Sequence, residues 1–161
     1  MDTDDGTDGT RWLTADEQKA WRVHLDVNRL LMYQLERDLQ PFGLTMNDYE
    51  ILVNLSESDE HRMRMSDLAA STLQSKSRLS HQITRMEKAG LVRRENCESD
   101  KRGLFAVLTE DGWETMRGVA PHHVDSVRRH FIDRMAPEDV EHLRETLLPV
   151  AEKLRAERGR F

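Results

Sequence analysis

The chain has 161 residues, 34% of them charged, a net charge of −6, a mean hydropathy of −0.74 and a single cysteine. No stretch approaches the roughly 20 apolar residues of a membrane-spanning helix, the acidic first ten residues lack the basic and apolar regions of a secretion signal, and Cys97 alone forms neither an intrachain disulfide nor a multi-cysteine zinc site, which favours the reducing cytoplasm. Hydrophobic residues make up only 37% of the chain, so burial between copies is expected, and as an average the negative charge speaks against a nucleic-acid partner.

Residues 1–11 hold four Asp, three Thr, two Gly and one Arg. With so little to bury, an acidic, disordered tail over 1–13 is expected. Thr14-Ala-Asp-Glu17 is a capping box and opens a helix that runs to about Leu39, before Pro41-Phe-Gly43. One face carries Trp21, Leu25, Asn28, Met32, Leu35 and Leu39; the other carries Val23, Val27 and Leu30. A helix apolar on two sides has more than one neighbour. Thr45-Met-Asn-Asp48 opens a second helix, through Tyr49, Ile51, Leu52 and Leu55, and a charged loop over 57–64 follows it. Ser66 is expected to cap a short helix to about Leu73, and Ser75 a longer one from Lys76 to Ala89, with Gly90 as its left-handed stop. Leu91–Cys97 and Leu104–Leu108 read as a hairpin. Thr109 caps a helix that Pro121 should break or kink. Pro137 begins a last helix, on which Val140, Leu143, Leu147, Val150 and Leu154 form a seam that Pro149 should bend.

Two helices joined by a short turn and followed by a hairpin make a winged helix-turn-helix. The fold class is therefore mainly α with a small β-hairpin wing. On the 76–89 helix, Leu79, Ile83 and Met86 fall on one arc. Ser77, Arg78, His81, Gln82, Arg85 and Lys88 lie on the other side, and Ser75 stands at its N-terminus. Arg pairs with guanine, Gln with adenine, and Ser or His with base edge or phosphate, while a helix N-terminus favours phosphate. Residues 62–102 hold ten Lys or Arg against five acids, so this stretch carries +5 and the remainder −11. Local field, not net charge, steers a phosphate backbone. Double-stranded DNA is thus the expected partner.

Asp100-Lys-Arg102-Gly103 followed by Leu108-Thr109-Glu110-Asp-Gly112 resembles the Asp-x-Arg…Leu-Thr-x-x-Gly pattern of the MarR family of bacterial transcription regulators. Met65-Ser-Asp-Leu-Ala69 resembles its first helix-turn-helix helix, and residues 77–94 its recognition helix entering the wing. The resemblance extends from about Trp21 to Leu154. It implies that Arg102, braced by Asp100 and flanked by Lys101, reaches a minor groove, where narrow A·T tracts concentrate negative potential. It also implies an intertwined all-helical dimerisation domain around the winged unit, with 14–42 and 113–161 in the dimer and 43–112 as the DNA-binding lobe. A homodimer predicts a pseudo-palindromic operator with half-sites about 34 to 36 Å apart; repression is the family default. A small aromatic or phenolic effector is implied in a crevice lined by Trp21, His24, Leu25, Asn28, Met32 and Tyr49, which would release the DNA.

Three other readings compete. Oxidation of Cys97 is one, although peroxide-sensing relatives place their cysteine in the first helix, where this chain has none. Metal sensing through His122, His123 and His130, with Asp125 or His142, is the second. A helical protein-interaction dimer that no longer binds DNA is the third. No HExxH, GxSxG, phosphate loop or GxGxxG is present, so neither an enzyme, a cofactor nor a bound metal is expected.

Overall fold

The computed structural model describes residues 9–97 and 100–158, with backbone alone for 100–102. The expected tail lies largely outside the described residues, as do the side chains of Asp100, Lys101 and Arg102. Six α-helices and three strands follow in order: α1 (Ala15–Leu39), α2 (Met46–Glu57), β1 (Arg62–Arg64), α3 (Met65–Ser71), α4 (Lys76–Lys88), β2 (Val92–Cys97), β3 (Asp100–Leu108), α5 (Glu110–His130) and α6 (Pro137–Arg158). No helix among them is long and apolar enough to cross a membrane.

Local chemistry sets most of the boundaries. Both capping boxes form: the Thr14 hydroxyl accepts from the Glu17 amide, and the Thr45 hydroxyl from the Asp48 amide. Ser75 caps α4, and Thr109 caps α5. Gly43, closing the short 3-10 turn Gln40–Phe42 after α1, and Gly90, just past the end of α4, take left-handed backbone at φ 70° and 76°, a conformation that costs other residues about 1 kcal/mol or more. Three expectations need correction. Ser66 does not cap α3; the helix begins one residue earlier, at Met65, and Ser66 donates to Asp67 instead. The charged loop contains a strand, because Arg62–Arg64 pairs antiparallel with Val107–Phe105. Pro121 does not break α5, which runs on to His130; α6 likewise runs through Pro149, where only a bend is expected. In α5 the contacts on either side, Val119 in the core and Ser126 on Asp38, hold the helix through the missing hydrogen bond.

The sheet order is β1-β3-β2, antiparallel throughout, with an irregularity between Asn96 and Cys97. One core joins α2, α3, α4, the sheet and the first half of α5. Ile51, Leu52, Leu55, Leu68, Leu79, Ile83 and Ala106 are fully buried in it. Gly112 explains the end of the Leu-Thr-x-x-Gly pattern. A Cβ there would stand 2.0 Å from the Leu91 carbonyl oxygen, so α5 meets the start of the wing at backbone distance. Thr109 completes this joint by donating its hydroxyl to the Gly90 carbonyl at 2.6 Å.

The outer helices differ sharply from this lobe. On α1 only Leu35 and Leu39 are buried, and on α6 nothing is. Trp21, Val23, Leu30, Val150 and Leu154 are each more than half exposed. The C-terminal end of α6 does touch the lobe, where the Arg158 guanidinium donates to the Ala70 carbonyl. Lower on α1, Asp38 ties the helix to α5 by accepting from the Ser126 hydroxyl, from Arg129 at 2.7 Å and from His130 at 2.9 Å. Chiefly through the Ser126 hydroxyl, these donors lower the Asp38 carboxyl to about 2.

Candidate nucleic-acid interface

The α4 helix presents four strips. Leu79, Ile83 and Met86 form the first, each 2% exposed or less, and seat the helix on the core. The second is the flank toward α2. There Arg85 donates through Nη2 to both oxygens of Asp48, at 2.6 and 2.8 Å, and Gln82 donates through Nε2 to Asp48 Oδ1 at 3.1 Å. Asp48 is 2% exposed and also accepts from the Thr45 amide and hydroxyl. The opposite flank faces the wing. Arg94 of β2 pairs with Glu87 and donates to the Ser80 carbonyl at 2.8 Å and the Thr84 hydroxyl at 3.1 Å. Two arginines thus clamp the helix, one of its own and one from the sheet.

The strip left between the clamps holds Ser77, Arg78, His81 and Lys88, all exposed. Arg78, Lys88 and the neighbouring Lys76 have no ion-pair partner among the described residues. Ser75 is exposed, with its hydroxyl accepting from the Arg78 amide at 3.2 Å. A cleft of about 370 Å³ beside the helix is lined by Arg64, Lys76 and Arg94 together with Gly103 and Leu104 of the wing. The hairpin puts residues 100–102 at the far end of β3 from α5.

The sequence-derived site therefore divides. Ser75, Ser77, Arg78 and His81 share one accessible end of α4. Gln82 and Arg85 belong to the α2 clamp. Arg85 is held on Asp48 here, with 55% of its side chain still exposed. Reading the sequence locally missed Asp48, Glu87 and Arg94 as builders of this surface. Asp48 was legible as a capping residue, but its second partner lies 37 positions away.

The implied effector residues are spread out. Trp21, His24, Leu25, Asn28 and Met32 are exposed along α1, with Trp21 and His24 stacked at 5.8 Å. Tyr49 is buried against His123, ring centres 4.3 Å apart. Burial pushes the Tyr49 hydroxyl up and the His123 imidazole down from their ordinary ranges. His122 rests on Phe42, and His130 on Asp38. No group of three His, Cys, Asp or Glu among the described residues is arranged to hold a metal ion. Cys97 is buried at the end of β2, with Arg64 Nη2 3.2 Å from its sulfur.

This arrangement, a helix exposed along one edge beside a three-stranded wing, is that of a winged helix-turn-helix. The comparisons with known proteins are specific. Residues 42–103 match the model of the MarR family. The Escherichia coli transcriptional regulator HosA is 32% identical over 98 residues, 61% of this chain and 70% of HosA. AbsC, a MarR family regulator from Streptomyces coelicolor, is 78% identical, with a TM-score of 0.86 over 91% of this chain and 99% of AbsC. Sco3205, of the same family and organism and solved in complex with DNA, is 48% identical, with a TM-score of 0.86 over 92% of this chain and 93% of Sco3205. The chain belongs to the MarR family of transcriptional regulators.

Proposed function

We propose that the protein is a cytoplasmic repressor that binds a pseudo-palindromic operator as a homodimer and leaves it when a small aromatic or phenolic molecule binds. The observation that carries the DNA-binding half is the accessible N-terminal end of α4 beside the wing. Ser77, Arg78 and His81 enter the major groove, Ser75 and Lys101 contact backbone, and Arg102, braced by Asp100, takes the minor groove. A similarity of 48% to a protein solved on DNA supports this reading.

Dimerisation rests on the apolar lengths of α1 and α6 that the chain does not cover itself. In this reading 14–42 and 113–161 form the dimer, and 43–112 the lobe. The effector crevice would lie between the Trp21 to Met32 face of α1 and the Tyr49 region.

Light scattering at micromolar concentration, with titration of a duplex selected by the protein from a random pool, tests the proposal. The expected result is a dimer and a palindromic consensus with half-sites one helical turn apart, bound with a steep salt dependence. A monomer, or selection without a consensus, overturns it. A panel of phenolic acids should then lower the affinity for that duplex, and Asn28→Ala should blunt the response.

A further inference from the structure

Asp48 stands in the first turn of α2, outside the helix-turn-helix, yet it holds two side chains of the recognition helix. Its two oxygens accept from Arg85, Gln82 and Thr45. Gln82 and Arg85 are of the types that read adenine and guanine. Both would be available to a groove if nothing held them. Arg85 keeps 55% of its side chain exposed, whereas Asp48 keeps 3%. The pair is thus anchored at the carboxylate end and open at the cation end.

We propose that Asp48 is a specificity-determining positioning residue: by withholding Arg85 and Gln82 from DNA, it confines base reading by α4 to Ser77, Arg78 and His81. The inference rests on the DNA-binding reading above. Its physical basis is charge. The ion pair of a guanidinium with a buried carboxylate is neutral as a unit, so it offers a phosphate no net charge and releases no counterion when DNA arrives. A freed guanidinium would do both, on any sequence. Asp48 therefore suppresses non-specific binding as well as narrowing the consensus. The second clamp, Arg94 on Glu87, keeps the helix seated from the other flank, so loss of Asp48 frees the side chains without releasing α4.

The test compares wild type, Asp48→Asn, Arg85→Gln and the double variant by fluorescence anisotropy. Each is titrated against the duplex selected by wild type and against a random-sequence duplex, over a range of salt. Asparagine keeps the size and one acceptor of Asp48, and the double variant pairs two neutral amides, so a folded protein is retained if either single variant fails on thermal denaturation. Asp48→Asn should bind random duplex several-fold more tightly, with its salt slope steeper by about 0.9 for the one added phosphate contact. Its ratio of specific to random affinity should fall. Arg85→Gln and the double variant should keep the wild-type slope, and reselection with them should return the wild-type consensus. The inference is overturned if Arg85→Gln loses about one unit of slope or one base preference. Equal weakening of Asp48→Asn on both duplexes at unchanged slope also overturns it, since that marks a purely structural residue. Failure of wild type to select any consensus would instead sink the DNA-binding reading itself.

Discussion

The lobe around α4 and the free lengths of α1 and α6 are built from similar helices, but they meet opposite fates. In the lobe every helix buries a stripe, and ion pairs lock α4 from both flanks. Along the first four turns of α1 nothing is buried, although Trp21, Val23, Leu25, Val27 and Leu30 lie there. Sequence pattern alone does not separate the two regions, because both are amphipathic. What separates them is whether the same chain supplies the opposing surface. The lobe is closed by its own contacts; the outer helices leave apolar surface exposed, which in the proposed dimer a second copy covers.

Five changes would break or sharpen this contrast. The largest effect is expected at Gly112→Ala, where the new methyl overlaps the Leu91 carbonyl oxygen and lies 2.8 Å from Leu108. Urea denaturation should show a loss of about 3 kcal/mol or more, at the upper end of overpacking costs. Next, Leu55→Ala in the lobe should cost about 2–5 kcal/mol through its cavity. Leu154→Ala on α6, with 61% exposure, should instead leave the low-concentration midpoint unchanged while weakening self-association in sedimentation. Equal effects of these two on the midpoint would erase the distinction between the regions.

A smaller effect follows from His123. Burial lowers its folded pKa below the ordinary imidazole value of 6.5, so the unfolded chain binds more protons in the window below 6.5. Stability should therefore be full above that pH and fall as the pH drops through the window. His123→Phe, which keeps the ring against Tyr49, should flatten the profile there, as followed by thermal midpoint against pH. The least effect is at Leu73, in the turn between α3 and α4, which is 72% exposed and left-handed at φ 56°. Leu73→Gly relieves that strain and should raise stability by about 0.5–1 kcal/mol in the same denaturation assay.

The resemblance and the patterns described the fold well because its boundaries depend on neighbours in sequence. Thr14, Thr45, Ser75 and Thr109 cap helices with partners three residues away. Strand β1 was hidden because three residues, two of them Arg, carry no strand pattern; pairing with Phe105–Val107 creates it. That Pro121 does not end α5 was hidden for the same reason, since the contacts that carry the helix past it come from α1 and the core. At the candidate site, the types of residue on α4 were legible, but their division of labour was not.

The charge with which the sequence opens illustrates the boundary between the two kinds of information. From sequence alone, the −6 resolves into a basic stretch over 62–102 and an acidic remainder, since charge is additive along a chain. Sequence alone also determined the helices, their caps and the apolar stripes, because these depend on residues one to four positions apart. Only the tertiary structure decided which cations are spent. Arg62, Arg85, Arg93 and Arg94 face carboxylates within the lobe, while Arg78 and Lys88 face none among the described residues. A charge reaches a partner only when its own fold has not neutralised it, and that depends on contacts such as Asp48 to Arg85, which sequence distance conceals.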